Sequence, residues 1–121
     1  MLIFKSKKFG FYGPIKMEEY FMVKILLVCS AGMSTSLMVN KMKDSAKAKG
    51  IESEIWAVSD AEAADNLPKA DVLLLGPQVR FLESKMKEIA GDKPVAVIDM
   101  MAYGTMNGEK VLEQALSLLG K

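Results

Sequence analysis

One cysteine stands where an apolar run ends and a small polar run begins. Cys29 follows Val-Lys-Ile-Leu-Leu-Val and opens Ser-Ala-Gly-Met-Ser-Thr-Ser, after which a helical pattern starts. A thiol at a strand-to-helix turn faces backbone N–H groups and the positive end of a helix dipole. That setting favours the thiolate and can hold an anion such as phosphate beside it. A phosphoryl group on the sulfur would need donors for its oxygens. Backbone N–H groups of Ser30, Ala31, Gly32, Met33, Ser34, Thr35 and Ser36 are the candidates, with the four hydroxyls in that run adding more. Gly32 permits loop conformations that other residues resist. The bland alternative is a buried, inert thiol, and the polar loop and helix that follow Cys29 weigh against it.

The same residues limit the chemistry. In low-molecular-weight tyrosine phosphatases the cysteine sits in a similar strand–loop–helix setting, with the pattern C-x5-R and an arginine that clamps phosphate bidentately. Here that position is Thr35, and no Asp-Pro dipeptide, which carries the phosphatases' general acid, occurs in the chain. Hydrolysing a phosphocysteine needs a positioned acid and an activated water. A loop without them can form a phosphocysteine and keep it long enough to hand it on. The residues therefore favour a phosphoryl carrier over a phosphatase. An arsenate-reductase-like enzyme is the other alternative, and no second cysteine exists to resolve its intermediate.

Composition narrows the field further. A chain of 121 residues suits one domain with one core. Its net charge of +1 gives no electrostatic support for nucleic-acid binding. One cysteine excludes an internal disulfide and fits a reducing cytosol. With no histidine at all, a Cys-His pair, a Ser-His-Asp triad and a histidine metal site are excluded within the chain. Any histidine chemistry must come from a partner. No apolar run reaches the roughly 18 residues that a membrane span needs. Residues 1–21 differ from the rest: they hold Lys5, Lys7, Lys8, Lys16, Pro14 and several aromatics, without the apolar region of a signal peptide. They are expected to be an upstream extension, disordered or not native, with translation beginning at Met22 and the domain spanning 22–121.

From Val23 on, strands and helices alternate. The first strand is apolar and bounded by the Ser/Gly loop. Ser34 or Thr35 is expected to cap a helix that runs to about Lys49, with Met38, Met42 and Ala46 facing inward, Lys41, Lys43 and Lys47 outward, and Gly50 ending it. Residues 51–58 alternate cleanly, as at a sheet edge. Ser59 to Glu62 has the spacing of a capping box, and Asn66-Leu67-Pro68 stops the short helix it starts. A third strand is expected at 70–75 and a fourth at 95–98. Between them lies a helix with Val79, Leu82, Met86 and Ile89 on one face. A loop at 99–107 then leads to a helix from Gly108 to Leu119 that buries Leu112, Ala115, Leu116 and Leu119.

Four apolar strands alternating with helices predict an α/β, three-layer domain: a four-stranded parallel sheet with helices on both faces. The order 2-1-3-4 puts strand 1 in the middle, with the phosphate-binding loop after it at a switch point. The loops after strands 3 and 4 then surround Cys29, bringing Gln78, Arg80 and Tyr103 to the same mouth. Asp99, at a strand end, reads better as a loop-capping carboxylate than as a catalytic acid.

Three segments carry a specific resemblance. Val-Cys-Ser-Ala-Gly-Met-Ser-Thr-Ser (28–36), Leu-Leu-Gly-Pro-Gln-Val-Arg (74–80) and Tyr-Gly-Thr-Met-Asn-Gly-Glu-Lys (103–110) resemble, in order, the enzyme IIB components of the lactose/cellobiose (chitobiose) class of the bacterial sugar phosphotransferase system. The resemblance covers about residues 22–121. It implies that Cys29 becomes a phosphocysteine, loaded by a phosphohistidine of enzyme IIA and unloaded onto a sugar carried by the membrane component, enzyme IIC. It implies no metal and no organic cofactor, and a cytoplasmic protein held at the membrane only through enzyme IIC. The sugar class would be cellobiose, chitobiose or lactose. Met33, Leu37, Gln78, Arg80 and Tyr103 are candidate partner contacts, although Leu37 and Tyr103 also fit packing roles. The small size points to a monomer.

Overall fold

The computed structural model describes residues 22–29 and 33–120, with side chains in the first helix described from Ser36 onward. The expectations for residues 1–21, for Ser30, Ala31 and Gly32, and for the side chains of Met33, Ser34 and Thr35 lie outside the described residues.

Strand β1 (Val23–Val28) is central because nearly all of it is apolar and both its edges are paired. It runs parallel to β2 (Ser53–Val58), with Leu26 opposite Trp56. On its other edge it runs parallel to β3 (Val72–Leu75), with Leu26 opposite Leu73. β3 in turn pairs with β4 (Val95–Val97), so the sheet is wholly parallel with the expected order β2-β1-β3-β4. Successive strand side chains point to opposite faces, and each face has its own core. Val23, Ile25 and Leu27 join Val72 and Leu74 beneath Met38, Met42, Val111 and Leu112. Leu26 and Val28 join Leu73 and Leu75 beneath Ala63, Leu67, Val79 and Met86.

The first layer comprises α1 (Met33–Ala48) and, from the end of the chain, the helix at Gly108–Leu118. α1 ends as the sequence indicates. Gly50 takes φ +72°, its N–H bonds Lys47 O at 3.1 Å, and the Ile51 N–H bonds Ala46 O at 2.8 Å, the double closure of a Schellman turn. That use of the Ile51 N–H explains why β2 starts at Ser53 rather than at 51. At its other end α1 is already helical at Met33, so Ser34 and Thr35 lie inside the first turn instead of capping it.

The second layer starts with a 3-10 turn at Asp60–Glu62, α2 (Ala63–Asn66) and a second 3-10 turn at Leu67–Lys69. The expected capping box does not form: the Ser59 hydroxyl donates to the Glu62 carboxylate at 3.4 Å and caps no backbone N–H. β3 begins at Val72 because the Ala70 N–H closes the preceding turn on Leu67 O, at 3.0 Å. After β3, a 3-10 stretch (Pro77–Leu82), kinked at Val79, leads into α3 (Glu83–Ala90). The face that α3 buries runs through Met86 and Ala90. Val79 and Met86 are buried, but Ile89, expected beside them, is 47% exposed.

β4 stops at Val97, one residue short of expectation, although the Ile98 N–H still bonds Leu75 O at 2.8 Å. Gln114 donates through Nε2 to Val97 O at 2.9 Å and accepts the Asp99 N–H on Oε1 at 3.1 Å. The segment expected as a loop contains a short helix, α4 (Met100–Gly104). The final helix, α5 (Gly108–Leu118), starts at Asn107, whose Oδ1 accepts the Lys110 N–H at 3.1 Å. It buries Val111 as well as Leu112 and Ala115, while Leu116 and Leu119 are only partly covered. Among the described residues, no helix is long and apolar enough to cross a membrane.

Candidate functional site

All four strands point their C-terminal ends the same way, so the segments that follow them meet at one end of the sheet. Cys29 lies there, directly after the central strand. Its N–H still belongs to the ladder, bonding Val58 O at 3.2 Å, and the Gly76 N–H bonds Val28 O at 2.8 Å on the other side. The cysteine is therefore held by both neighbouring strands and is 1% exposed. α1 begins just beyond the loop that Cys29 opens, so the N-terminal, positive end of its dipole faces this end of the sheet.

Two side chains from different segments converge on the sulfur. Gln78 arrives from the 3-10 stretch after β3: Sγ of Cys29 donates to its Oε1 at 3.8 Å, within hydrogen-bond reach of a sulfur. Tyr103 arrives from α4, with its hydroxyl 3.8 Å from the same Sγ. The two also touch each other, Gln78 Nε2 donating to Tyr103 Oη at 3.4 Å. Cys29, Gln78 and Tyr103 thus form a closed triangle of polar contacts.

The backbone around the triangle explains why it holds. Gly76 sits where a Cβ would lie 2.9 Å from Gln78 Oε1 and 3.7 Å from Cys29 Cβ. Any larger residue would crowd the amide off the sulfur. Tyr103 is placed by Asp99, whose Oδ2 accepts the Ala102 N–H at 3.0 Å and caps α4. This is the capping role that the sequence favoured over acid catalysis. At the far end of α4, Thr105 Oγ1 donates to Met101 O at 2.8 Å and the Asn107 N–H bonds Ala102 O at 2.8 Å.

The sequence candidates differ in exposure. Leu37 is 48% exposed on α1, and Gln78 and Arg80 are exposed on the segment after β3. Tyr103 is 9% exposed, with its ring in the core and only its hydroxyl at the sulfur. Three apolar side chains were not singled out from the sequence: Phe81, Met100 and Met101, which are 72%, 64% and 77% exposed. They flank Gln78 and Tyr103 on the same two segments. Their signal was weak, because an apolar residue beside a helix start reads equally well as core. Among the described residues, no group of three or more His, Cys, Asp or Glu gathers where it could hold a metal ion.

A parallel α/β sheet with a cysteine at its central switch point, backed by neutral hydrogen-bonding groups, defines a class of small group-transfer domains. The particular family follows from relatedness. The model for lactose/cellobiose-specific IIB subunits of the PTS system matches residues 24–114, and the chain belongs to that family. It is 54% identical over 100 residues to the oligo-beta-mannoside-specific EIIB component of Bacillus subtilis (strain 168), covering 81% of this chain and 97% of that protein. It is 50% identical over 103 residues to the cellobiose-specific EIIB component of Lactococcus lactis subsp. lactis (strain IL1403), covering 78% and 94%. Among solved structures, the cellobiose-specific phosphotransferase IIB component of Borrelia burgdorferi superposes with a TM-score of 0.68 at 42% identity, covering 82% of this chain and 93% of that one. The chain is thus a sugar-specific phosphotransferase subunit, and a IIB component works together with IIA and IIC components.

Proposed function

We propose that Cys29 is the residue that carries the phosphoryl group. It accepts the group from a phosphohistidine of enzyme IIA and passes it to a sugar held by enzyme IIC. The observation that carries this reading is the position of Sγ: at the end of the central strand, ahead of α1, with the only cysteine of the chain met by Gln78 and Tyr103. The backbone N–H groups and hydroxyls of residues 30–36 bind the phosphoryl oxygens. Leu37, Gln78 and Arg80 contact the partners at the rim, joined by Phe81, Met100 and Met101, whose exposure suits a water-excluding interface. Tyr103 contributes its hydroxyl from below. Transfer needs no metal or organic cofactor, because in-line passage between two proteins depends on positioning and charge stabilisation.

Residues 22–121 form the working domain, a monomer that reaches the membrane only by docking on enzyme IIC from the cytoplasmic side. The sugar is a β-linked oligosaccharide of the cellobiose or oligo-β-mannoside kind, on the strength of the relatives' specificities. The test is intact-mass measurement after incubation with phosphorylated enzyme IIA. Wild type should gain one phosphoryl group, located on Cys29 by fragmentation, and Cys29→Ser should gain none that passes on to sugar. A Cys29→Ser protein that sustains transfer at the wild-type rate would refute the assignment.

A further inference from the structure

The geometry points to Tyr103 as a catalytic hydrogen-bond donor to the Cys29 sulfur, with Gln78 as the residue that aims its proton. This rests on the reading of Cys29 as the phosphoryl acceptor and deepens it. A phenol has one proton to give and an oxygen that accepts. In the triangle, Gln78 Nε2 donates to Tyr103 Oη at 3.4 Å, so the Tyr103 oxygen already acts as acceptor on that side. Its hydroxyl lies 3.8 Å from Sγ of Cys29, where either atom can donate while the sulfur is a thiol. The thiol meanwhile donates to Gln78 Oε1 at 3.8 Å. Once ionised the sulfur can only accept, so the contact is then made by the Tyr103 proton. The ring of Tyr103 is anchored in the core and α4 is capped by Asp99, so the hydroxyl is held in place by the fold.

This arrangement bears on both halves of the reaction. The thiol first loses its proton to water. The thiolate then attacks phosphorus: an S–P bond forms, the P–N bond of the donor phosphohistidine breaks, and its electron pair stays on the imidazole nitrogen. In the second half a sugar hydroxyl oxygen attacks, an O–P bond forms, the S–P bond breaks and its pair returns to sulfur, while the hydroxyl proton leaves to solvent. Negative charge rests on sulfur before the first half and after the second. A neutral donor aimed at the sulfur stabilises that charge more than it stabilises the uncharged thiol, because a hydrogen bond to an ionised acceptor is about twice as strong. Tyr103 thus supports the thiolate as both nucleophile and leaving group. It keeps its proton throughout and is no base.

Among the described residues, the charged side chains on the segments that directly follow the strands are Asp60 and Glu62 after β2, Arg80 after β3 and Asp99 after β4. Asp99 is tied to the Ala102 N–H and Glu62 receives the Ser59 hydroxyl. No metal or partner is needed for the test, which is the pH dependence of Cys29 alkylation by iodoacetamide. Tyr103→Phe keeps the ring and removes the donor, and should raise the alkylation midpoint by about one pH unit, a tenfold loss of thiolate worth ~1.4 kcal/mol. Gln78→Glu puts a carboxylate in place of the amide, which competes for the Tyr103 proton and faces the thiolate with like charge. Its midpoint should rise at least as far. A midpoint within about 0.3 unit of wild type in either folded variant would overturn the proposal. If circular dichroism shows that Tyr103→Phe does not fold, the surface variant Gln78→Glu decides alone by the same criterion. Phosphorylation of the wild type by enzyme IIA is scored separately. Phosphorylated wild type with unmoved midpoints rejects the role of Tyr103 only. Shifted midpoints without phosphorylation reject the carrier reading and leave the hydrogen bond in place.

Discussion

Replacing Gly76 by alanine should separate function from stability at this site. At Gly76 the backbone has φ −62° and ψ 152°, an extended conformation open to any residue. Alanine there incurs no backbone strain, and restricting the unfolded chain favours folding by about 0.4–1 kcal/mol. The added Cβ, however, would lie 2.9 Å from Gln78 Oε1 and 3.4 Å from Val28 O. The first contact is with the end of a flexible side chain, which retreats by roughly 0.5 Å to reach an ordinary separation. The amide already stands 3.8 Å from the sulfur, so that retreat breaks the contact and takes the Gln78–Tyr103 bond with it. A net loss of about 0.5–1.5 kcal/mol for one such bond corresponds to about a two- to tenfold slower transfer if it is felt in the transition state.

The expected pair of results is therefore a denaturation midpoint changed by no more than about 1 kcal/mol and a slower phosphoryl transfer. Urea unfolding gives the first, and rapid-quench mass spectrometry of phosphate moving from enzyme IIA to Cys29 gives the second. Wild-type transfer kinetics in a folded Gly76→Ala protein would refute the reasoning, because the amide would then be idle. A stability loss above about 2 kcal/mol would refute it differently, placing the collision on the Val28 backbone rather than on the Gln78 side chain.

Gly108 should behave in the opposite way. A Cβ there would fall 2.6 Å from the Lys41 carbonyl carbon and 2.6 Å from Lys41 Cβ, where α1 and α5 cross. Gly108→Ala should cost about 2–3 kcal/mol and lower Tm by roughly 10 °C or more, read by calorimetry, while transfer below the melting range stays near wild type. Asp99→Ala removes the cap of α4 and should cost about 1 kcal/mol. Amide exchange at Ala102 and Tyr103 should speed up more than exchange in β1, which hydrogen-exchange mass spectrometry resolves. Lys49 is held above its usual pKa of 10.5 by the Glu109 hydrogen bond, then by the charges of Glu109 and Glu113. A raised folded pKa means that its contribution is complete below the unfolded value and is lost as pH rises through the folded one. Urea midpoints of wild type and Lys49→Met should thus differ near pH 8 and converge as pH rises past 10.5 through the raised value of Lys49, the wild type losing the larger share of stability.

What the sequence made legible were features written in local chemistry. β1 and β3 are runs with hardly a polar residue, so their burial on both faces follows directly. Gly50 announced the end of α1 because no other common residue takes φ +72° so readily. The elements that were misread depend on contacts made at long range. α4 hides in a stretch with turn residues, and its cap becomes obvious only when the Asp99 side chain is seen on the Ala102 N–H. Where β4 ends, Val97 O and the Asp99 N–H are both bonded by Gln114, 17 positions away from Val97 in sequence. The face that α3 buries runs through Met86 and Ala90 and leaves Ile89 to one side, a phase that the short apolar pattern does not define. At the site, the cysteine was legible from its neighbours in sequence. Its closure with Gln78 and Tyr103 spans 49 and 74 positions and required the strand order to be known first.

The neutrality of the groups that meet the sulfur suits a relay better than a trap. A bidentate arginine on a phosphoryl group makes strong charge-assisted bonds, and such bonds slow departure when they hold the resting phosphocysteine more tightly than the transition state. The sequence puts Thr35 where a C-x5-R loop would have that arginine, and the contacts at Sγ come from an amide and a phenol. The phenol is the donor of the two, and it acts most strongly when sulfur carries full charge and less when sulfur is bonded to phosphorus. On the proposed carrier role, the phosphocysteine is thereby left less stabilised than the thiolate to which it returns, which keeps its transfer potential high. Cys29 as a residue is 1% exposed, and on the proposed carrier role that burial keeps water from the S–P bond. Introducing an arginine at position 35 should therefore make the phosphocysteine longer-lived toward a sugar acceptor, and its half-life in the presence of enzyme IIC and sugar measures that directly. An unchanged half-life would mean that charge at the phosphoryl oxygens does not limit its release.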